Sequence, residues 1–316
     1  MTHSVMSHHR VVFACAAAGA PSLARACLLA ESIRRHAGRF ANEPIWLFQP
    51  QGANGLSADA LGAFDRLGVR SMAFEVGPGW QSIPFAGKVA AAAAAEALAA
   101  GRGQLLVWLD PDTIFFQEPG GLLLQPGKVL GCRPVDHKLI GSAVDKPPDP
   151  FWQDIYQLCG VPQARLFTMT TSADAIRIRP YINAGCLVVR PETGLLQAWR
   201  QRFDQALASG AFEAYFQRNV LYRIFLHQAI LAGAVLSILG EEQIQILPHL
   251  VNYPMHMHGQ YPADRRPARM NDLISGRYDT FFDDPEWPAL FPSDEPLQGW
   301  LARRLTHYNL AACQKA

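Results

Sequence analysis

An α/β fold, with a mostly parallel central sheet and helices on both faces, is predicted by three observations. Short apolar runs alternate with helical patterns from Val11 onward. One such run, "LLVWLDPDTIFF" from Leu105 to Phe116, stops at two acids one residue apart and then turns apolar again. The chain of 316 residues is 49% hydrophobic and only 17% charged, which is enough apolar material to bury one large core.

The first strand is Val11 to Ala16, a buried run, and Pro21 opens an amphipathic helix through Leu23, Leu28, Leu29 and Ile33 to Arg34-Arg35. The same stretch, with His8-His9-Arg10 ahead of "VVFACAAAGA", also has the outline of a secretory signal. The strand and helix reading is preferred. Pro44 to Phe48 is a second strand, "SADALGAFDRLG" a helix capped by Ser57, and Val69 to Val76 a third strand. The Ala-rich run from Lys88 to Ala100 has high helix propensity and stops at Gly101. The run from Leu105 is then a fourth strand with its acids at the carboxyl end.

That position matters, because open α/β sheets bind ligands beyond the carboxyl ends of their strands. Alternation along a strand puts residues i and i+2 on one side, and Pro111 between the acids stiffens the turn. Asp110 and Asp112 then point together. Paired hard oxygen donors suit Mg²⁺ or Mn²⁺, which bind through one or two carboxylates plus substrate phosphates. The plain alternative is an acidic turn in which Asp112 caps the next segment of chain.

Lysine and arginine total 28 and aspartate and glutamate 27, so no excess field draws the molecule to nucleic acid or an anionic membrane. No apolar run is expected to reach the roughly 18 residues that a membrane span needs. The six cysteines form no C-x-x-C pair, which points to reduced thiols and a cytoplasmic location.

A second stretch decides between the readings of the acids. "PYINAGCLVVRPETGLLQAW", Pro180 to Trp199, taken with "LLVWLDPDTIFF", resembles the nucleotide-sugar-dependent glycosyltransferases of GT-A fold, in particular the glycogenin-like and lipopolysaccharide galactosyltransferase-like group. That group has a strand ending in D-x-D, then a [FY]-[IF]-N-[AS]-G strand and a helix. Here the elements are Asp110-Pro-Asp112 and Tyr181-Ile-Asn183-Ala184-Gly185, followed by "CLVVR" and a helix starting near Pro191. The group's D-Q pair corresponds to His227-Gln228, and its C-terminal "LP…N" and histidine to Leu247-Pro248, Asn252, His256 and His258. The resemblance runs from Val11 to about His258 and implies one GT-A-like domain over 1–316. Its nucleotide-sugar half would be about 11–125 and its acceptor side about 126–316.

The resemblance implies roles. Asp110 and Asp112 hold the metal, and His258, with His256 as second choice, completes its protein ligands. Ala16, Lys88, Asp110, Ala184 and Gly185 bind the nucleotide sugar. Asn183, Gln228 and His227 carry the chemistry, with Gln228 facing the anomeric carbon. The donor is a nucleoside diphosphate sugar, the acceptor a hydroxyl of unknown origin. Oligomeric state is open, a homodimer being one expectation.

Two departures stand out. His227 replaces the acid of the D-Q pair, and "HMHGQYPADRRPAR" lacks the group's diphosphate-clamping lysine, with Arg265, Arg266 and Arg269 as substitutes. Asp136, His137 and His227 are candidates for the base that an inverting reaction needs. Leu195, Leu196, Trp199 and Phe203 recur at helical spacing and read as core. Trp152 or Tyr156 is the candidate to stack on a sugar. The segment from Arg277, "RYDTFFDDPEW", carries no assignment. Two other functions compete: a non-catalytic nucleotide or sugar binder on a decayed transferase scaffold, and a haloacid dehalogenase-type phosphatase in which Asp283-Asp284 mimics the second acidic pair.

Overall fold

The computed structural model describes residues 10–52, 58–77, 79–102 and 104–310. His8, His9, Ser57 and Cys313 lie outside them.

The first half is the expected alternation: β1 (Val11–Ala16), α1 (Ala20–His36), β2 (Ile45–Pro50), α2 (Ala58–Arg66), β3 (Val69–Phe74), α3 (Ala86–Ala99) and β4 (Leu105–Leu109). Then come β5 (Thr113–Phe115), β6 (Leu130–Pro134), α4 (Pro150–Cys159), β7 (Met169–Thr170), β8 (Arg177–Ile178) and β9 (Ile182–Val189). The chain continues with α5 (Leu195–Ser209), α6 (Glu213–Arg218), α7 (Val220–Ile238), β10 (Ile244–Ile246), β11 (Tyr253–Pro254) and β12 (Ser275–Arg277). It closes with α8 (Trp287–Leu290) and α9 (Leu297–His307).

Seven strands form the main sheet in the order β10-β6-β9-β4-β1-β2-β3, and strands from both expected halves share it. Neighbours run parallel except at β9, which is antiparallel to both β4 and β6. Strand alternation divides the core. Val12, Ala14, Leu106 and Trp108 face the layer of α3, α4, α5 and α7, while Val11, Phe13, Cys15, Leu105, Val107 and Leu109 face the layer of α1 and α2. The alanines of α3 let that helix lie close on the sheet, with Ala90, Ala91, Ala92, Ala95 and Ala99 fully buried. Glu96 on the same helix is also fully buried and accepts the Gln197 N–H at 2.8 Å, at the start of α5 where Gly194 supplies no side-chain cap. Leu195, Leu196, Trp199 and Phe203 are core, as their spacing predicts.

Two expectations change. Trp152 is completely buried in α4 and donates its indole N–H to the Ile140 carbonyl, so it cannot stack on a sugar. Helix α7, 19 residues long with a mean hydropathy of 1.5, is long and apolar enough to cross a membrane, contrary to the reading that no run approaches that length. Arg223, His227 and Gln228 break the run in the sequence but not in the helix. Its residues from Leu226 to Leu236 are all buried, packed against α4, α5, α6 and β9, which accounts for the composition without a bilayer.

The unassigned segment begins at the end of a strand of a second sheet. β12 pairs antiparallel with β5 and parallel with β11, forming a small second sheet directly beyond the two acids. Around it Tyr253, Tyr261, Tyr278, Phe282, Phe291 and Trp300 build a third core against Leu28 of α1 and Ile114 of β5.

Candidate active site

A cleft of about 530 Å³ opens at the carboxyl ends of the parallel strands. Its wall contains the last residue of four of them: Ala16 of β1, Pro50 of β2, Phe74 of β3 and Leu109 of β4. Because β9 runs the other way, its first residues arrive where β4 ends. The Asp110 N–H donates to the Gly185 carbonyl at 2.8 Å, which ties the two motifs together.

Asp110 and Asp112 both line the cleft, on a turn closed by the Thr113 N–H donating to the Asp110 carbonyl with Pro111 second in the turn. The turn carries the chain from the main sheet into the small one. Lys88 of α3 sits on both oxygens of Asp110, at 2.6 and 2.9 Å, and over the Phe85 ring at 4.9 Å. Burial, with Asp110 adding to it, pushes the Asp112 carboxyl up to about 6, against the pull of Arg277 and Lys88.

Gly185 explains the N-A-G triplet. A Cβ there would lie 2.7 Å from an Asp110 carboxylate oxygen and 3.0 Å from the Asn183 side-chain oxygen, so only glycine lets β9 pass this close. Asn183 accepts the Gly185 N–H at 2.8 Å through Oδ1, leaving its amide donors for a ligand in the cleft it lines. Gln228, also in the wall, accepts the Ala184 N–H through Oε1 at 3.2 Å and donates to the Tyr181 hydroxyl at 3.3 Å. Ala184 itself is buried and outside the wall, so its contribution is the N–H that fixes Gln228.

His227 lines the cleft beside Phe85, ring centroids 4.7 Å apart. Its Nδ1 meets the Ile224 carbonyl at 3.0 Å; a carbonyl only accepts, so Nδ1 carries the proton and Nε2 is an acceptor. Burial, with Lys88 second, lowers its pKa well below the ordinary range. The ring is neutral and a weak base. Asp136 and His137 lie outside the cleft: Asp136 is paired with Arg277 and with the Tyr261 hydroxyl, and His137 meets Gln260 and Asp174.

His258 does not join the acids. Met255–Gln260 is a 3₁₀ turn, in which residues two apart face different ways, and it directs His258 into the third core. There its Nδ1 meets the Tyr253 hydroxyl at 3.0 Å and its ring stacks on Phe291, while burial and Arg266 lower its pKa to about 4. His256 comes nearer, its Nε2 3.9 Å from Asp279, a residue of the cleft wall. Among the described residues no group of three His, Cys, Asp or Glu side chains is placed to hold a metal. The two carboxylates therefore fit an ion completed by a substrate's phosphate oxygens and do not fit a closed protein cage.

The substitutes for the missing lysine are also occupied elsewhere. Arg266 donates to the Gly259 and Tyr261 carbonyls, Arg269 pairs with Asp294, and Arg265 is exposed, all away from the cleft. The wall instead contains Arg25 and Arg277, which sequence reasoning missed, along with Ser22, Phe85, Phe225 and Asp279. Arg25 stands one turn past Pro21 on α1, a spacing that was visible; Arg277 lies far along the chain with no motif around it. Asp283 and Asp284 are exposed and outside the wall, which removes the second acidic pair that a phosphatase would need.

A carboxylate pair and basic side chains, converging at the strand ends of an α/β sheet, define an enzyme cleft for an anionic ligand. The chain belongs to the Rhodobacterales glycosyltransferase domain family, whose model matches residues 13–237. It is a glycosyltransferase of GT-A fold. Among solved structures it is similar to an active-site mutant of LgtC, in which a glutamine is replaced by glutamate, at 16% identity over 95% of each chain with a TM-score of 0.51. It is also similar to the glycosyltransferase GlyE of Streptococcus pneumoniae TIGR4, at 12% identity over 96% of this chain and 62% of that one, TM-score 0.51. No curated protein matches it in sequence.

Proposed function

We propose that the enzyme transfers a sugar from a nucleoside diphosphate donor to an acceptor hydroxyl, with Mn²⁺ or Mg²⁺ held by Asp110 and Asp112 together with the donor phosphates. The observation that carries this reading is the arrival of both carboxylates, from the carboxyl end of β4, in a cleft that Lys88, Asn183, Gly185, His227 and Gln228 also line. A divalent cation there supplies positive charge to the departing diphosphate. The chain's own groups do the rest. Lys88, held on Asp110, adds positive charge beside the donor phosphates, Asn183 orients a sugar or acceptor hydroxyl through its amide N–H, and Gln228 stands at the reacting face of the sugar, fixed by Ala184 and Tyr181. His227 offers Nε2 to a sugar hydroxyl as a neutral acceptor, in the place where the related group has a carboxylate.

The reading extends to a cytoplasmic location: the five described cysteines are buried free thiols, with Cys15, Cys132, Cys159 and Cys186 pushed up to about 12 by burial.

The test is calorimetric titration of the folded protein with UDP and GDP, with and without Mn²⁺, in wild type and Asp112→Asn. Cation-dependent binding of one nucleotide, lost in the variant, is expected. Absence of binding by either nucleotide would defeat the proposal.

A further inference from the structure

The cleft wall carries three carboxylates, Asp110, Asp112 and Asp279, and three permanent cations, Lys88, Arg25 and Arg277. Lys88 is taken up by Asp110. Arg25 is not taken up by any carboxylate, and Arg277 is taken up only in part. A guanidinium has five N–H donors in a rigid fork. Arg277 commits one group, Nη2, to Asp136 at 3.1 Å, while its Nε is buried with no partner. Arg25 makes no hydrogen bond or ion pair among the described residues, and its Nε is likewise buried without a partner. Burying such donors is costly unless an acceptor arrives.

The two groups converge on one place. Arg277 feels the charges of Asp136, Asp112, Asp110 and Asp279, and the Tyr278 hydroxyl, itself buried and unpartnered, feels both Asp112 and Arg25. Arg25 comes from the first turns of α1, as does Ser22, and shares the cleft wall with Ala17 and Ala18, which follow β1; Arg277 comes from β12, paired with the strand immediately after the acids. One strand of this arrangement lies beyond the stretch that the family model matches.

We propose that Arg25 and Arg277 form a two-guanidinium clamp for the diphosphate of the donor, one reaching it from α1 and the other from β12, and take the part for which this chain has no C-terminal lysine. The inference rests on the nucleotide-sugar reading of the cleft. Bidentate forks match phosphate oxygens, and the α1 side and the β12 side of the cleft each supply one. Asp136 holds Arg277 from behind, and Tyr261 holds Asp136, so the fork is aimed before the ligand enters.

The experiment compares calorimetric binding of UDP and GDP with UMP and GMP, in the presence of Mn²⁺, for wild type, Arg25→Gln, Arg277→Gln and Arg277→Lys. Loss of a charge-assisted hydrogen-bond pair predicts diphosphate binding weakened about 10- to 100-fold in each glutamine variant, with monophosphate binding changed much less. Arg277→Lys keeps a cation opposite Asp136 and guards against a trivial folding loss; it is expected to fold with wild-type stability and still bind the diphosphate more weakly, since an ammonium lacks the fork. Diphosphate binding equal to wild type in all three folded variants would overturn the clamp and transfer the two arginines to an anionic group on the acceptor. Equal weakening of mono- and diphosphate would overturn it too, by placing the arginines at the nucleoside end. If wild type binds none of the four nucleotides, the donor reading itself falls.

Discussion

Gly185 and Gln228 show how much of the site rests on single atoms. An alanine at Gly185 would press its Cβ on Asp110 and Asn183 at 2.7 and 3.0 Å, both parts of the cleft. Gly185→Ala is therefore expected to keep the fold, because the strand's conformation tolerates alanine, and to weaken cation-assisted nucleotide binding by about tenfold or more, read by titration. Gln228 separates structure from chemistry. Gln228→Ala strands the buried Ala184 N–H and should cost about 1–3 kcal/mol in denaturant unfolding. Gln228→Glu keeps an acceptor for that N–H, and the Tyr181 hydroxyl can turn to donate, so its stability should stay close to that of wild type while transfer falls. A parallel loss of stability in both variants would make Gln228 a packing residue.

At the scale of elements, α7 and the C-terminal core carry the sharpest expectations. Gly233 of α7 faces α4 so closely that an added Cβ would meet the Cys159 sulfur at 2.5 Å, so Gly233→Ala should destabilise by about 1–3 kcal/mol through overpacking, measured by chemical denaturation. Two half-buried histidines pack against the C-terminal core. His36 packs edge-on against Trp300, and His258 stacks on Phe291; burial, with Arg35 and Arg266 respectively, lowers each pKa to about 4. A lowered histidine pKa means that the folded state binds fewer protons than the unfolded chain below its ordinary pKa of about 6.5. The stability these groups contribute is fully present above about 6.5 and is lost as pH falls toward 4. Melting temperature should therefore drop across that window, and the drop should shrink in a His258→Phe variant. A flat profile in wild type would mean that the two rings are not held neutral.

At the scale of the molecule, the main sheet joins β4 to β9, so the two halves expected from the resemblance share hydrogen bonds in the middle of one sheet. A fragment ending at 125 would expose the β4 edge and the apolar face that α5 and α7 cover. Such a fragment is expected to show no cooperative melting on its own, while the full chain melts with its cleft and core together. A well-folded fragment would establish the first half as an independent domain. The third core works at the same scale: it fastens β12, and with it Arg277, to the strand that leaves the carboxylate pair.

What the sequence determined by itself was whatever depends on neighbours along the chain. Periodicity located β1, α1, β4 and the core stripe of α5, and the D-P-D and N-A-G triplets marked the end of β4 and the start of β9 before any contact was known. Only the tertiary structure decided which residues meet. The reversal of β9 brings Asn183 and Gly185 to Asp110, the 3₁₀ turn removes His258, and the pairing of β12 with β5 brings in Arg277 from more than a hundred residues away. The physical reason is the range of the forces involved. Helix and strand patterns arise from steric and hydrophobic preferences repeated every two to four residues, whereas the direction of a strand or the fate of a buried arginine is set by the packing of elements distant in sequence.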